Sequence, residues 1–166
     1  MLSVETVELV TVRRCRECGS AEHGQPVIEL ASGTPAGCFV SFARADGTEV
    51  AAARLRGPVG IDIESRTAVA AHAVAEALLH PAEAGALAEL APAEVAERLA
   101  TLWVVKEALL KATGHGLRVD LREIEVVVGA DTTTIRRWPA ELDLREAPHI
   151  VLFAPTDGLV GAIAEL

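Results

Sequence analysis

The sequence contains no asparagine and no tyrosine, a single glutamine (Gln25), and only two lysines, Lys106 and Lys111, in 166 residues. All the other basic residues are arginine. Aromatic residues make up 3% of the chain, so the core must be aliphatic. No apolar run reaches the ~18 residues that a membrane span needs, which excludes a membrane partner. The opening residues Met1-Leu2-Ser3-Val4-Glu5 lack a basic start and an apolar signal core, so no secretory leader is expected. A formal charge of -9 leaves no basic excess for a nucleic-acid face and excludes nucleic acid as a partner. Three cysteines make an odd set without a disulfide framework, which fits a cytoplasmic, reducing location.

What is present reads as a globular protein: 51% hydrophobic residues and 23% charged ones, at a length for one domain or two small lobes sharing a core. Valines spaced through residues 4 to 12 predict a strand, followed by a loop over 13 to 26. Strands are expected at 37 to 43 and 48 to 55, joined by an Asp46-Gly47 hairpin turn, and again at 58 to 64. The period then changes. Ala68 to Leu79 predicts an alanine-rich helix, Pro81 opens a second that runs to about Leu90, and Ala93 to Thr113 predicts a long third one ending at Gly114-His115-Gly116. Strands return at 124 to 128, 132 to 136, 150 to 154 and 159 to 164. Strands, then helices, then strands give an α+β fold. The lobe boundary falls near Arg56-Gly57-Pro58, which divides the chain into residues 1–56 and 57–166.

The scarce lysines direct attention to the long helix, where Trp103, Glu107 and Lys111 share a stripe and Lys106 sits about 100° around from Glu107. Upstream, Asp62 and Glu64 are two apart on a predicted strand and project from one face, while Val59, Ile61 and Ile63 bury the other. Fixed side by side, these carboxylates repel, and a hard cation such as Mg2+ relieves that. Glu107 supplies a third carboxylate, and the two ammonium groups can neutralise phosphates. The same residues also fit a solvated strand edge and an exposed helical Glu–Lys pair worth a few tenths of a kcal/mol.

Gly60-Ile61-Asp62-Ile63-Glu64, then Trp103-Val104-Val105-Lys106-Glu107-Ala108-Leu109-Leu110-Lys111, then Gly114-His115-Gly116-Leu117, resemble the signature of the 4'-phosphopantetheinyl transferases. That signature is G-[IV]-D-[IVL]-E followed by W-x-x-K-E-[AS]-x-x-K-x-x-G-x-G-L. His80-Pro81-Ala82-Glu83 stands where the family often has a P-x-E helix start. The Asp motif follows another lobe and has its Glu two residues on, which resembles the surfactin type, a pseudo-dimer of two related lobes. Cys15-x-x-Cys18-Gly19 and His23-Gly24-Gln25-Pro26 are similar to that type's C-x-x-C-G and H-G-K-P elements.

The resemblance implies Mg2+ held by Asp62, Glu64 and Glu107, and phosphates of coenzyme A facing Lys106 and Lys111. It implies transfer of the phosphopantetheine arm to a serine of an apo acyl or peptidyl carrier protein of polyketide or peptide synthesis. Glu107 is the expected base, with Lys111 beside it, and His115 an expected coenzyme A contact. Three departures stand out. Ala45 occupies the place of a phosphate-contacting histidine, Gln25 replaces the lysine of H-G-K-P, and the first lobe is truncated. Arg44, or Arg13, Arg14 or Arg16, is expected to replace the lost charge. These departures also fit a non-catalytic relative that binds carrier protein or coenzyme A. A shortened lobe leaves apolar surface for a second subunit, so a homo-oligomer is a further expectation.

Cys15, Cys18 and His23, with Cys38 as a fourth, offer zinc ligands, and equally fit a turn with reduced cysteines. His72, His80 and His149 are assigned no role. Arg136, Arg137 and Trp138 read as a solvated basic spot.

Overall fold

The computed structural model describes residues 8–15, 18–68, 75–129 and 132–166, leaving aside the side chain of Leu117. Two hairpins come first. Strands β1 (Leu9–Arg14) and β2 (Gln25–Leu30) pair antiparallel, as do β3 (Phe39–Ala45) and β4 (Thr48–Arg54). Asp46 and Gly47 turn the second hairpin with φ of 46° and 76°, the left-handed pair that matches strand twist in a two-residue connection. Next come β5 (Val59–Ser65), helices α1 (Ala75–Leu78), α2 (Pro81–Leu87) and α3 (Pro92–Thr113), then strands β6 (Glu125–Val128), β7 (Thr133–Arg137), β8 (His149–Phe153) and β9 (Leu159–Glu165). The second half builds an antiparallel sheet in the order β5-β9-β8 and a separate β6-β7 hairpin. The architecture is α+β, as expected.

Several boundaries differ from the sequence reading. Strand β2 begins inside the loop expected over 13 to 26 and runs on through residues 27–30, to which the sequence reading assigned no element, because Gln25-Pro26-Val27-Ile28 carries only a short alternation. The helix expected over 68 to 79 is described only as Ala75–Leu78, and residues 69–74 lie outside the described residues, His72 among them. Short 3-10 turns at Gly116–Arg118, Leu121–Glu123 and Ala140–Leu142 carry too little periodicity to be read from sequence.

Helix α3 is the centre of the second half. Its Leu102, Leu109 and Leu110 pack with Ala162 and Ala164 of β9, with Ile124, and with Val126 and Ile135 of the β6-β7 hairpin. The packing against β5 is close. A Cβ placed on Gly60 would lie 1.9 Å from the Ala108 carbonyl oxygen and 2.6 Å from the Ala112 nitrogen. Only glycine fits there, and alanine at both helix positions lets the two backbones meet. Side chains alternate along a strand, so the face carrying Gly60 also carries Asp62 and Glu64 towards α3.

For helix α3 the sequence reading gave a stripe shared by Trp103, Glu107 and Lys111, with an exposed Glu–Lys pair as the alternative. Instead it is buried nearly all round from Leu99 to Thr113, because α1 and the turn at Leu121–Glu123 cover the remaining side. That difference decides the fate of one of the two lysines.

Candidate active site

Asp62 projects from β5 and is 8% exposed. Across from it, Lys111 comes from the last turn of α3. Its ammonium donates to Asp62 Oδ1 at 2.7 Å, to the Ile61 carbonyl at 3.0 Å and to the Phe42 carbonyl at 3.2 Å. One side chain therefore joins α3 to β5 and to β3 of the first half. Burial still pushes the Asp62 carboxyl up from its ordinary value, against the pull of Lys111 and with the repulsion of Glu64 added.

Glu107, one turn before Lys111, is pushed up to about 6, first by burial and then by the charge of Asp62, with Lys111 acting in the opposite sense. Its Oε1 is buried and makes no hydrogen bond. Two mutually repelling carboxylates, one with an orphaned oxygen, are an environment that a hard divalent cation relieves. Glu64 sits apart from that arrangement: its Oε1 accepts from the Ser65 amide at 2.8 Å on its own strand. The three carboxylates do not gather into one tight cluster. Among the described residues the group with ligand atoms all within 4.8 Å of one another is Cys15, Cys18 and His23.

The expectation that Lys106 faces a phosphate is corrected by its position. Lys106 is 0% exposed, and its ammonium donates to the Leu78 carbonyl at 2.7 Å, to Glu83 Oε2 at 2.7 Å and to the Leu121 carbonyl at 3.0 Å. All three of its donors are used inside the protein. Glu83 is equally committed. It caps its own helix by accepting from the His80 amide at 2.8 Å, and its Oε1 accepts from the Val126 amide at 2.8 Å. The pair is an internal rivet joining α1, α2, α3 and β6. Sequence reading placed Glu83 at a helix start but did not pair it with Lys106, since 23 residues separate them. His80, expected to have no role, helps cap α2, its Nδ1 accepting from the Ala82 amide at 3.2 Å.

Helix α3 ends at Gly114 with φ of 73°, and its amide reaches back to the Leu110 and Lys111 carbonyls. His115 follows with its Nδ1 buried and without a hydrogen-bond partner. This helix end, together with β1, β2 and β3, walls a cleft of about 550 Å3. Arg13, Arg14, His23, Lys111, His115 and Arg118 line it, a basic concentration in a chain of net charge -9. Arg14 is also held by Glu29, its Nε donating to Oε1 at 3.0 Å. Arg44, on exposed strand surface opposite Glu49 in register, is not among the lining residues, and Arg16 lies outside the described residues. Arg118 was missed by sequence reading; its signal was a basic residue just past the Gly-His-Gly helix end. Gln25, in the place of a lysine, spends its amide on the Lys111 carbonyl at 3.3 Å and so fastens the first hairpin to α3.

The matching family model is that of the 4'-phosphopantetheinyl transferase superfamily, over residues 58–160. Among curated proteins, none matches the sequence. Among solved structures, holo-[acyl-carrier-protein] synthase from Neisseria meningitidis has a similar fold, with a TM-score of 0.55, 22% identity, and 66% of this chain and 98% of that chain covered. Holo-ACP-synthase from Plasmodium yoelii has a TM-score of 0.53 at 17% identity, covering 64% of this chain and 91% of that one. The Helicobacter pylori enzyme, in complex with coenzyme A, has a TM-score of 0.51 at 18% identity, covering 64% and 97%. At these identities the likeness is one of fold.

Proposed function

The chain belongs to the 4'-phosphopantetheinyl transferase superfamily and is a phosphopantetheinyl transferase, and we propose that it moves the 4'-phosphopantetheine arm of coenzyme A onto a serine of an apo acyl or peptidyl carrier protein with the help of Mg2+. The observation that carries this reading is the basic cleft set against the buried Asp62–Glu107 pair. Coenzyme A is a polyanion with a diphosphate and a 3'-phosphate. Arg13, Arg14, Arg118 and Lys111 supply complementary charge around the cleft.

The serine oxygen attacks the pantetheine-side phosphorus of the diphosphate. The bond from that phosphorus to the bridging oxygen breaks, and 3',5'-ADP leaves with the electron pair. Such transfers need alignment and charge neutralisation more than covalent help. The serine proton is assigned to Glu107, the carboxylate of this site whose buried Oε1 has no hydrogen-bond partner of its own. Asp62 and Glu107 would hold Mg2+, with Glu64 as the outer carboxylate, and the ion would supply positive charge to the diphosphate oxygens. Lys111 keeps Asp62 oriented and lies at the cleft wall. His115, with an unpaired buried Nδ1 beside the helix end, is assigned a contact to coenzyme A.

We further infer the surfactin-type subgroup with a shortened first lobe. Supporting it, the compared synthases are covered over 91% to 98% of their length by only 64% to 66% of this chain. The family match begins at residue 58, just past the first two hairpins. Mixing the protein with apo carrier protein, coenzyme A and Mg2+ tests the reading. The carrier should gain the mass of the phosphopantetheine arm, and Glu107→Gln should abolish the gain. No mass change across a panel of carriers, with coenzyme A binding intact, would refute the reading in favour of a non-catalytic binder.

A further inference from the structure

We propose that Cys15, Cys18 and His23 hold a Zn2+ ion that locks the β1–β2 loop against the cleft. The three side chains have no part in the transfer chemistry. Their ligand atoms nevertheless converge, all within 4.8 Å of one another. Cys18 Sγ and His23 Nε2 are 3.4 Å apart. Two donors sharing a tetrahedral Zn2+, with Zn–S of about 2.3 Å and Zn–N of about 2.0–2.1 Å, stand roughly 3.6 Å apart. The observed spacing, that of a thiol–imidazole hydrogen bond, is also within about 0.2 Å of that of a shared metal, so an ion needs little movement of either ligand.

The backbone brings the ligands together independently of any ion. The hairpin pairs Arg14 with Gln25, so residues 15–24 form its loop. The Cys15 amide donates to the Ser20 carbonyl at 2.9 Å, and the Gly19 amide returns to the Cys15 carbonyl at 3.0 Å. Gly19 closes this knuckle with φ of 69°. Gly24, with φ of 109°, presses so close to Arg14 that a Cβ would lie 2.3 Å from its carbonyl oxygen, and this folds His23 back over Cys15. Two cysteines with two residues between them and an imidazole, one half-buried and two exposed, are a borderline-soft donor set that selects zinc over magnesium. Three protein ligands would leave a fourth position open to water or a further donor.

The ion would have a mechanical consequence. Cys15, His23, Gly24 and Gln25 all line the cleft, and Gln25 reaches the Lys111 carbonyl. Clamping the loop fixes the wall opposite the end of α3.

Metal analysis of the protein purified without chelator from zinc-supplied cells tests this, and it does so without any transferase assay. One zinc per chain is expected. Cys18→Ser and His23→Ala should each lower zinc content at least tenfold, while Asp62→Asn retains it. Hydrogen exchange over residues 13–26 should rise when zinc is stripped from the wild type. If either loop variant misfolds, titrating wild-type thiols with a mercurial in the presence of a chromogenic zinc indicator should release the metal. Wild-type protein that is folded but carries less than a tenth of an equivalent of zinc would overturn the proposal. So would a Cys15–Cys18 disulfide, or zinc that leaves with Asp62→Asn and stays in Cys18→Ser.

Discussion

Replacing Glu107 by glutamine should make the metal-free protein more stable while ending its activity. The native carboxyl sits at about 6 against an ordinary 4.5, with burial and Asp62 as the causes. A raised acid is favoured in its protonated form by the fold. Its contribution to stability is therefore complete below pH 4.5 and is lost as pH rises through 6. Above that, the ionised group costs the native state about 1.5 units at 1.36 kcal/mol each, or ~2 kcal/mol as an upper figure, reduced to about 1–2 kcal/mol because the side chain is partly solvated. Glutamine is nearly the same size and cannot ionise. Urea unfolding in EDTA at pH 8 should show Glu107→Gln more stable than wild type by about 1–2 kcal/mol, and near pH 4.5 the gap should close to a few tenths. Adding Mg2+ should stabilise wild type and do less for the variant. A Glu107→Gln protein that is less stable at pH 8, or a gap that does not change with pH, would show that the carboxylate is not under the electrostatic load described.

Lys106→Met should cost about 3–5 kcal/mol in urea unfolding, because it leaves Glu83 charged and buried, and Glu83→Gln added to it should recover part of the loss; unchanged stability with a raised KM for coenzyme A would instead return Lys106 to the phosphates. Gly60→Ala should cost about 1–3 kcal/mol or more by forcing β5 away from α3, measured by the same unfolding, and a neutral result would contradict the close approach at Ala108. Arg13→Ala and Arg118→Ala should each weaken coenzyme A binding in calorimetry by more than Arg44→Ala does, since only the first two line the cleft; the reverse order would move the binding surface onto β3.

Much of the second half was legible because its elements are long or strictly patterned. The α3 helix and strands β5, β8 and β9 carry local signals strong enough to read from the sequence, as does the Asp46-Gly47 turn of the first half. Strand and helix periods gave Asp62 with Glu64 and Glu107 with Lys111, and the family resemblance joined the two sets. What escaped was set by distant neighbours. Whether Lys106 meets solvent depends on Leu78, Glu83 and Leu121, and none of these is coupled to it by a short-range pattern. Arg118 joins the cleft only because the chain turns sharply after Gly114. Strand β2 was hidden because its partners in β1 lie between 11 residues (Arg14 with Gln25) and 21 residues (Leu9 with Leu30) away, a separation that single-strand alternation does not report.

The unequal fates of the two lysines give the protein an unusual chemical profile. Acylating and cross-linking reagents that seek side-chain amines find Lys106 sealed, its ammonium enclosed by oxygen atoms, and Lys111 partly open, with 30% of its side chain exposed beside the cleft. Lysine labelling thus becomes a footprint of a single place on the molecule. Any compound that settles in the cleft reveals itself by shielding that amine, with no second exposed lysine to blur the reading.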